Sequence, residues 1–163
     1  MSADKLDLWI AKQEIAELRR RYAIATDLIA TREPASIEAG RTIYHQIFTP
    51  NAQLAAQGVE TQTGPEAWLE LVLRSLKPYA FTQHLIGTQV VDVHSLPGQN
   101  VAGLALMTSY LNAWHESADH ELWTFLGTYE DVVTHTADAG WQIDQMQLVK
   151  LSDEVRNVSP RTG

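Results

Sequence analysis

Apolar residues recur at alternating intervals of three and four from Leu8 to Ile29, through Ala11, Ile15, Leu18, Tyr22 and Ala25. That is the period of an amphipathic helix, so a long first helix is predicted here. Its other face carries Lys12, Glu17, Arg19 and Arg20, which the pattern assigns to solvent. A second helix is predicted after Pro34, through Ile37, Arg41, Ile43, Tyr44 and Ile47. It stops before Pro50, because the residue preceding a proline is biased toward extended geometry. Asn51 to Gln57 reads as a short strand, and Gly58 opens a loop. Gly64-Pro65-Glu66 then sets proline in a first helical turn, and Trp68, Leu69, Leu71, Val72 and Leu76 give a third helix its apolar face, ending before Pro78.

Beyond Pro78 the period changes to two. His84 to Val93, Val101 to Trp114, Leu122 to Val133 and Trp141 to Leu151 read as strands. Turns at Pro97-Gly98, Ser117-Ala118-Asp119 and Ala137-Asp138-Ala139-Gly140 separate them. Three helices followed by hairpin-linked strands predict an α+β fold, with the helices on one face of an antiparallel sheet. Curvature of that sheet would leave a cavity between the layers. Residues 1–151 form a single expected domain, and 152–163 are expected to be a polar C-terminal tail.

Composition narrows the function. With 163 residues, 45% hydrophobic and five tryptophans, the chain can build one sizeable core. Its net charge of -8 works against capture of nucleic acid or an anionic membrane, so a small neutral partner is expected. The absence of cysteine excludes disulfides and thiolate chemistry. The acidic start Met1-Ser2-Ala3-Asp4 is unlike a secretory peptide, and the apolar runs are too short to span a bilayer. A cytoplasmic location is therefore expected.

Six histidines show no helical His-x-x-x-His spacing, so no metal site is expected. There is no phosphate-binding glycine loop and no Gly-x-Ser-x-Gly elbow, which leaves acid–base chemistry without a cofactor. His84 opens an apolar strand, where it is either a general base or a satisfied core histidine. Asp27 lies near the end of the first helix, where its charge gains nothing from the helix dipole. It is either a partner for a histidine or a surface carboxylate. His115 shares strand parity with Met107, Ser109, Leu111 and Ala113, so it is a candidate second acid–base group with Met107 on the same inner face. His45, His94, His120 and His135 are read as uncatalytic. Tyr22, Tyr44, Tyr110 and Tyr129 can each bury a ring and aim a hydroxyl at a carbonyl, while Trp68, Trp114, Trp123 and Trp141 are read as packing residues.

Several stretches carry a family resemblance: Ile15-Ala16-Glu17-Leu18, Arg21-Tyr22-Ala23 leading to Asp27, Phe48-Thr49-Pro50-Asn51-Ala52 and Thr82-Gln83-His84-Leu85-Ile86-Gly87. Gly127-Thr128-Tyr129-Glu130-Asp131 and Gly140-Trp141-Gln142-Ile143 complete the pattern. In these the chain resembles the SnoaL-like group of the nuclear-transport-factor-2-like (NTF2-like) superfamily, and within it the scytalone dehydratases. The resemblance implies a cone-shaped α+β fold whose curved sheet and three N-terminal helices enclose a pocket, without a cofactor and assembled as a homodimer or homotrimer. It places Asp27 and His84 at the positions of the dehydratase aspartate and the histidine it supports, and His115 at the second histidine. Thr128 falls near the family's serine, and Glu130 or Asp131 near its asparagine. Thr26 and Ala56 stand where substrate-polarising tyrosines are expected, and Tyr22, one turn before Thr26, is the candidate to restore a hydroxyl.

Together these readings predict a lyase of the hydro-lyase type, acting by His–Asp acid–base catalysis on a small apolar hydroxy-carbonyl compound, polyketide, aromatic or steroid-like. An isomerase of the ketosteroid type, a polyketide cyclase or a non-catalytic ligand-binding protein would use the same scaffold.

Overall fold

The computed structural model describes residues 3 to 98 and 101 to 159. Helix α1 spans Ala3–Ala30, α2 Pro34–Ile47 and α3 Gly64–Ser75. The strands are β1 Phe48–Ala56, β2 Gln62–Thr63, β3 Tyr79–Ser95, β4 Gly103–Ser117, β5 Glu121–Thr136 and β6 Gly140–Asn157. They form one six-stranded sheet in the order β2-β1-β6-β5-β4-β3. The α+β fold expected from the sequence is present. One pair departs from it, because β1 runs parallel to β6. No hairpin links these two strands, so nothing in the local chain forces them antiparallel.

The sheet is strongly curved because its long strands carry bulges. In β3 the register slips between Ile86 and Gln89. Side chains that face the helices are even-numbered from Thr82 to Ile86 and odd-numbered from Gln89 to Val93. A slip of this type bends the strand and re-aims the residues before it. On β4 the odd-numbered residues Ala105, Met107, Ser109, Leu111, Ala113 and His115 face inward and are buried. Ile15, Leu18, Tyr22, Ala25 and Ile29 of α1 are buried in one core with these β4 residues, as the three–four spacing predicts. Helix α2 crosses α1 closely at Gly40, where an added Cβ would lie 2.8 Å from the Ala25 carbonyl oxygen.

Two expectations fail. The helical pattern assigns Arg19 to solvent with Lys12, Glu17 and Arg20, yet it is fully buried and paired with Asp131 of β5. A helical wheel sees only its own helix, and the carboxylate that draws Arg19 inward is 112 residues away. The expected tail from Ser152 instead continues β6, with Ser152 opposite Leu126 and Asn157 opposite Glu121. Its polar composition reflects a ladder exposed on both faces, not the absence of one, since residues from Lys150 to Asn157 are all exposed. The last residues of the expected tail, 160 to 163, lie outside the described residues.

Candidate active site

Asp27 lies in the last turn of α1, beside the start of β3. Its Oδ1 accepts from His84 Nδ1 at 2.7 Å and from the Thr82 hydroxyl at 3.1 Å, and its Oδ2 accepts from the His84 backbone N–H at 3.1 Å. Three donors hold the carboxylate, and two of them belong to the residue it orients. With Nδ1–H donating to Asp27, the other ring nitrogen of His84 carries the lone pair. The His84 side chain is 8% exposed and lines a cavity of about 410 Å³. That volume falls within the range of small-molecule pockets, about 300–1,000 Å³.

His115 reaches the same cavity from β4, opposite Thr82 in the ladder. Its ring meets His84 edge-on at 5.4 Å, and it packs against Trp123 at 4.8 Å and Tyr79 at 5.1 Å. Burial, and next the neighbouring His84, push its pKa from 6.5 down to about 4. Near neutrality it is an uncharged imidazole, whose buried Nδ1 has no protein partner. An imidazolium proton is therefore not available from His115 at that pH, and its chemistry is that of a neutral hydrogen-bonding group.

The far wall is built from α1, α3 and β5. Tyr22 and Thr26, one turn apart on α1, both line the cavity with Trp68 and Tyr129. Trp68 Nε1 donates to the Tyr22 hydroxyl at 3.1 Å. The Thr26 hydroxyl donates to the Tyr22 carbonyl at 2.9 Å, so it accepts at 2.7 Å from the Tyr44 hydroxyl. Thr26 is consequently engaged within the protein. Burial raises the pKa of Tyr44 and Tyr129 well above 10, which keeps both phenols protonated. Leu71, Val72, Leu111, Ala113, Phe125 and Leu148 make most of the remaining wall apolar, and the exposed Gln57, Val59 and Lys150 form its rim with Ala56.

Of the residues singled out in the sequence, Tyr22, Thr26, Asp27, Ala56, His84 and His115 come together at this cavity. Others do not. Thr128 and Glu130 point to the opposite face of β5, because strand alternation sends Tyr129 and Asp131 inward instead. Met107 faces inward but lies further along β4, opposite Asp131, and does not line the cavity. Tyr110 is on the outer face and 58% exposed. The sequence reading missed Tyr79 and Phe125 and took Trp68 and Trp123 for packing alone. The alternation that buries Gly127, Tyr129, Asp131 and Val133 was the signal for choosing Tyr129 over its neighbours.

A strongly curved sheet wrapped with three helices around an apolar pocket defines the NTF2-like class of α+β domain. The chain belongs to the SnoaL-like family, whose SnoaL-like domain matches residues 10 to 147. No curated protein matches the sequence. Among solved structures, the chain is similar to a "Putative Scytalone Dehydratase" from Novosphingobium aromaticivorans, at 16% identity and a TM-score of 0.72, over 98% of this chain and 99% of that one. It is similar to a hexachlorocyclohexane dehydrochlorinase, LinA-type3 from Novosphingobium barchaimii, at 14% identity and a TM-score of 0.77, over 96% and 99%. A protein from Kribbella flavida matches at 19% identity and a TM-score of 0.71, over 90% and 95%. At these identities the likeness is one of fold. No described helix is long and apolar enough to cross a membrane.

Proposed function

We propose that the protein is a cofactor-independent lyase that removes water from a small, largely apolar hydroxy-carbonyl compound, with His84 as general base and Asp27 as its orienting partner. The observation that carries this reading is the 2.7 Å contact between His84 Nδ1 and Asp27 Oδ1 at the edge of an apolar cavity. The free ring nitrogen of His84 takes the proton next to the substrate carbonyl, and the C–H electron pair moves toward the carbonyl as an enolate. Asp27 stabilises the imidazolium so formed. As the enolate collapses to the conjugated alkene, the C–O bond breaks and the same imidazolium returns its proton to the departing hydroxide, which leaves as water. His84 is neutral again and the balance closes. Tyr22, whose hydroxyl is held by Trp68, donates to the carbonyl oxygen. Names among the structural neighbours, a "Putative Scytalone Dehydratase" and a dehydrochlorinase, support an elimination.

A non-catalytic ligand-binding role, or an isomerase or cyclase using the same base, has one specific observation behind it. Ala56 offers no hydroxyl and that of Thr26 is taken up by Tyr44, so fewer groups polarise the substrate than the dehydratase resemblance implies. Product mass separates the readings. A panel of hydroxy-ketones and polyketide-type rings should yield products lighter by one water in the parent and none in His84→Ala. Unchanged mass with altered spectrum indicates isomerisation. Binding without turnover, or equal turnover in His84→Ala, removes the elimination mechanism.

The expected homodimer or homotrimer also belongs to this proposal. Leu85, Val90, Leu104, Leu106, Tyr110 and Leu126 leave the outer sheet face exposed and apolar, and sedimentation would report whether copies cover it.

A further inference from the structure

Arg19 sits behind the pocket wall and not in it. Its ζ carbon lies 3.9 Å from the centroid of the Tyr129 ring and 4.6 Å from that of Tyr22. Both phenols line the cavity, and neither Arg19 nor Asp131 does. The guanidinium pairs with Asp131 through Nη2 and donates from Nη1 to the Met146 sulfur at 3.3 Å. Arg19 Nε and Asp131 Oδ2 are left buried without a protein partner. An ion pair held this way adds little stability, because desolvation offsets its attraction and apolar residues of similar volume do as well or better. Stability therefore does not account for a charge placed against two pocket-lining phenols.

We propose that Arg19 is a positioning residue of the pocket, which acts through the Tyr22 and Tyr129 rings to make their hydroxyls stronger donors to a ligand oxygen that carries or develops negative charge, as in an enolate or a phenolate. The inference rests on the acid–base reading of the cavity and adds the charge state it selects. A cation against a phenol ring favours electron density on that ring, and so favours donation of the hydroxyl proton. Trp68 Nε1 is a donor only, and it occupies an acceptor site on the Tyr22 oxygen, which leaves the Tyr22 proton for another acceptor. Burial keeps Tyr129 protonated, so it does not compete with the ligand as an anion. Asp131 fixes the guanidinium, and stands two residues from Tyr129 on the same inner face of β5.

The test is an absorbance titration of nitrophenols into the protein across their ionisation range, which separates binding of the phenolate from binding of the neutral phenol. The parent should bind the phenolate in preference, and Arg19→Met/Asp131→Leu should weaken that preference about three- to tenfold while neutral phenol binds as before. Changing both partners avoids leaving a lone buried charge. Arg19→Lys, which keeps the charge but loses the flat stacking surface, is the second variant and should also weaken it. Tyr129→Phe, with the ion pair intact, should do the same. No phenolate preference in the parent, no nitrophenol binding, or an unchanged preference in a folded Arg19 variant would overturn the proposal. The readout needs no turnover. A protein that prefers phenolate yet dehydrates nothing loses the elimination reading and keeps this one.

Discussion

Asp27 at the end of α1 and His84 near the start of β3 are 57 residues apart in the chain, yet a single carboxylate accepts from both the ring and the backbone N–H of the histidine. The double hold fixes where the ring stands and which of its nitrogens bears the proton. A histidine fixed in this way costs little reorganisation when it takes up a proton, because its counter-charge is already in place.

Neutralising that counter-charge should affect rate more than binding. Asp27→Asn is expected to lower kcat for the proposed dehydration by about 10²–10⁴-fold, the usual share of positioned acid–base help, with KM changed far less. Steady-state kinetics on any substrate found for the parent measures this. Equal losses in binding and rate would mean that Asp27 shapes the pocket and does not support a base.

His115 makes stability depend on pH. In the folded protein its pKa is pushed down to about 4, whereas in the unfolded chain it titrates near 6.5. Above about pH 6.5 both states are neutral and its contribution is fully present. As pH falls from about 6.5 to about 4 the unfolded chain takes up a proton that the folded one refuses, and stability is lost, on the order of 3 kcal/mol in total. Urea denaturation across this window should show the decline in the parent, with a smaller slope in His115→Phe.

Thr26 and Tyr44 form a closed pair in the helical layer, and breaking it should cost stability. Thr26→Val removes the acceptor of a fully buried phenol, and is expected to destabilise the protein by about 1–3 kcal/mol. For a chain of this size that is a fall in Tm of about 3–10 °C. Adding Tyr44→Phe removes both partners and should recover part of the loss. Thermal unfolding of the two variants decides the matter, and the absence of recovery would assign the cost to packing.

Most of the architecture was legible in the sequence because burial repeats with the period of each element. The three–four spacing of Ile15, Leu18, Tyr22, Ala25 and Ile29 marks the buried face of α1, and alternation along β4 marks Leu111, Ala113 and His115 as inward. What periodicity cannot carry is pairing between distant residues. Arg19 read as a solvated charge because its partner, Asp131, lies on another element, and Ser152 to Asn157 read as a tail because a ladder exposed on both faces has no apolar signature. The pairing of Asp27 with His84 came from the family resemblance, since neither residue announces the other. Thr128 and Glu130 show the limit of that transfer. Matching positions near the family's serine and asparagine placed them in the pocket, and a shift of one residue along β5 turns both side chains away from it.

The most direct test of the account is the tautomer of His84, read by ¹⁵N NMR of labelled protein under conditions where its ring is neutral. The account predicts a ring protonated at Nδ1 and free at Nε2, with a hydrogen-bonded Nδ1–H resonance far downfield that disappears in Asp27→Asn. A neutral His84 protonated at Nε2, or a spectrum indifferent to Asp27→Asn, would contradict it and leave the histidine a structural residue of the pocket wall.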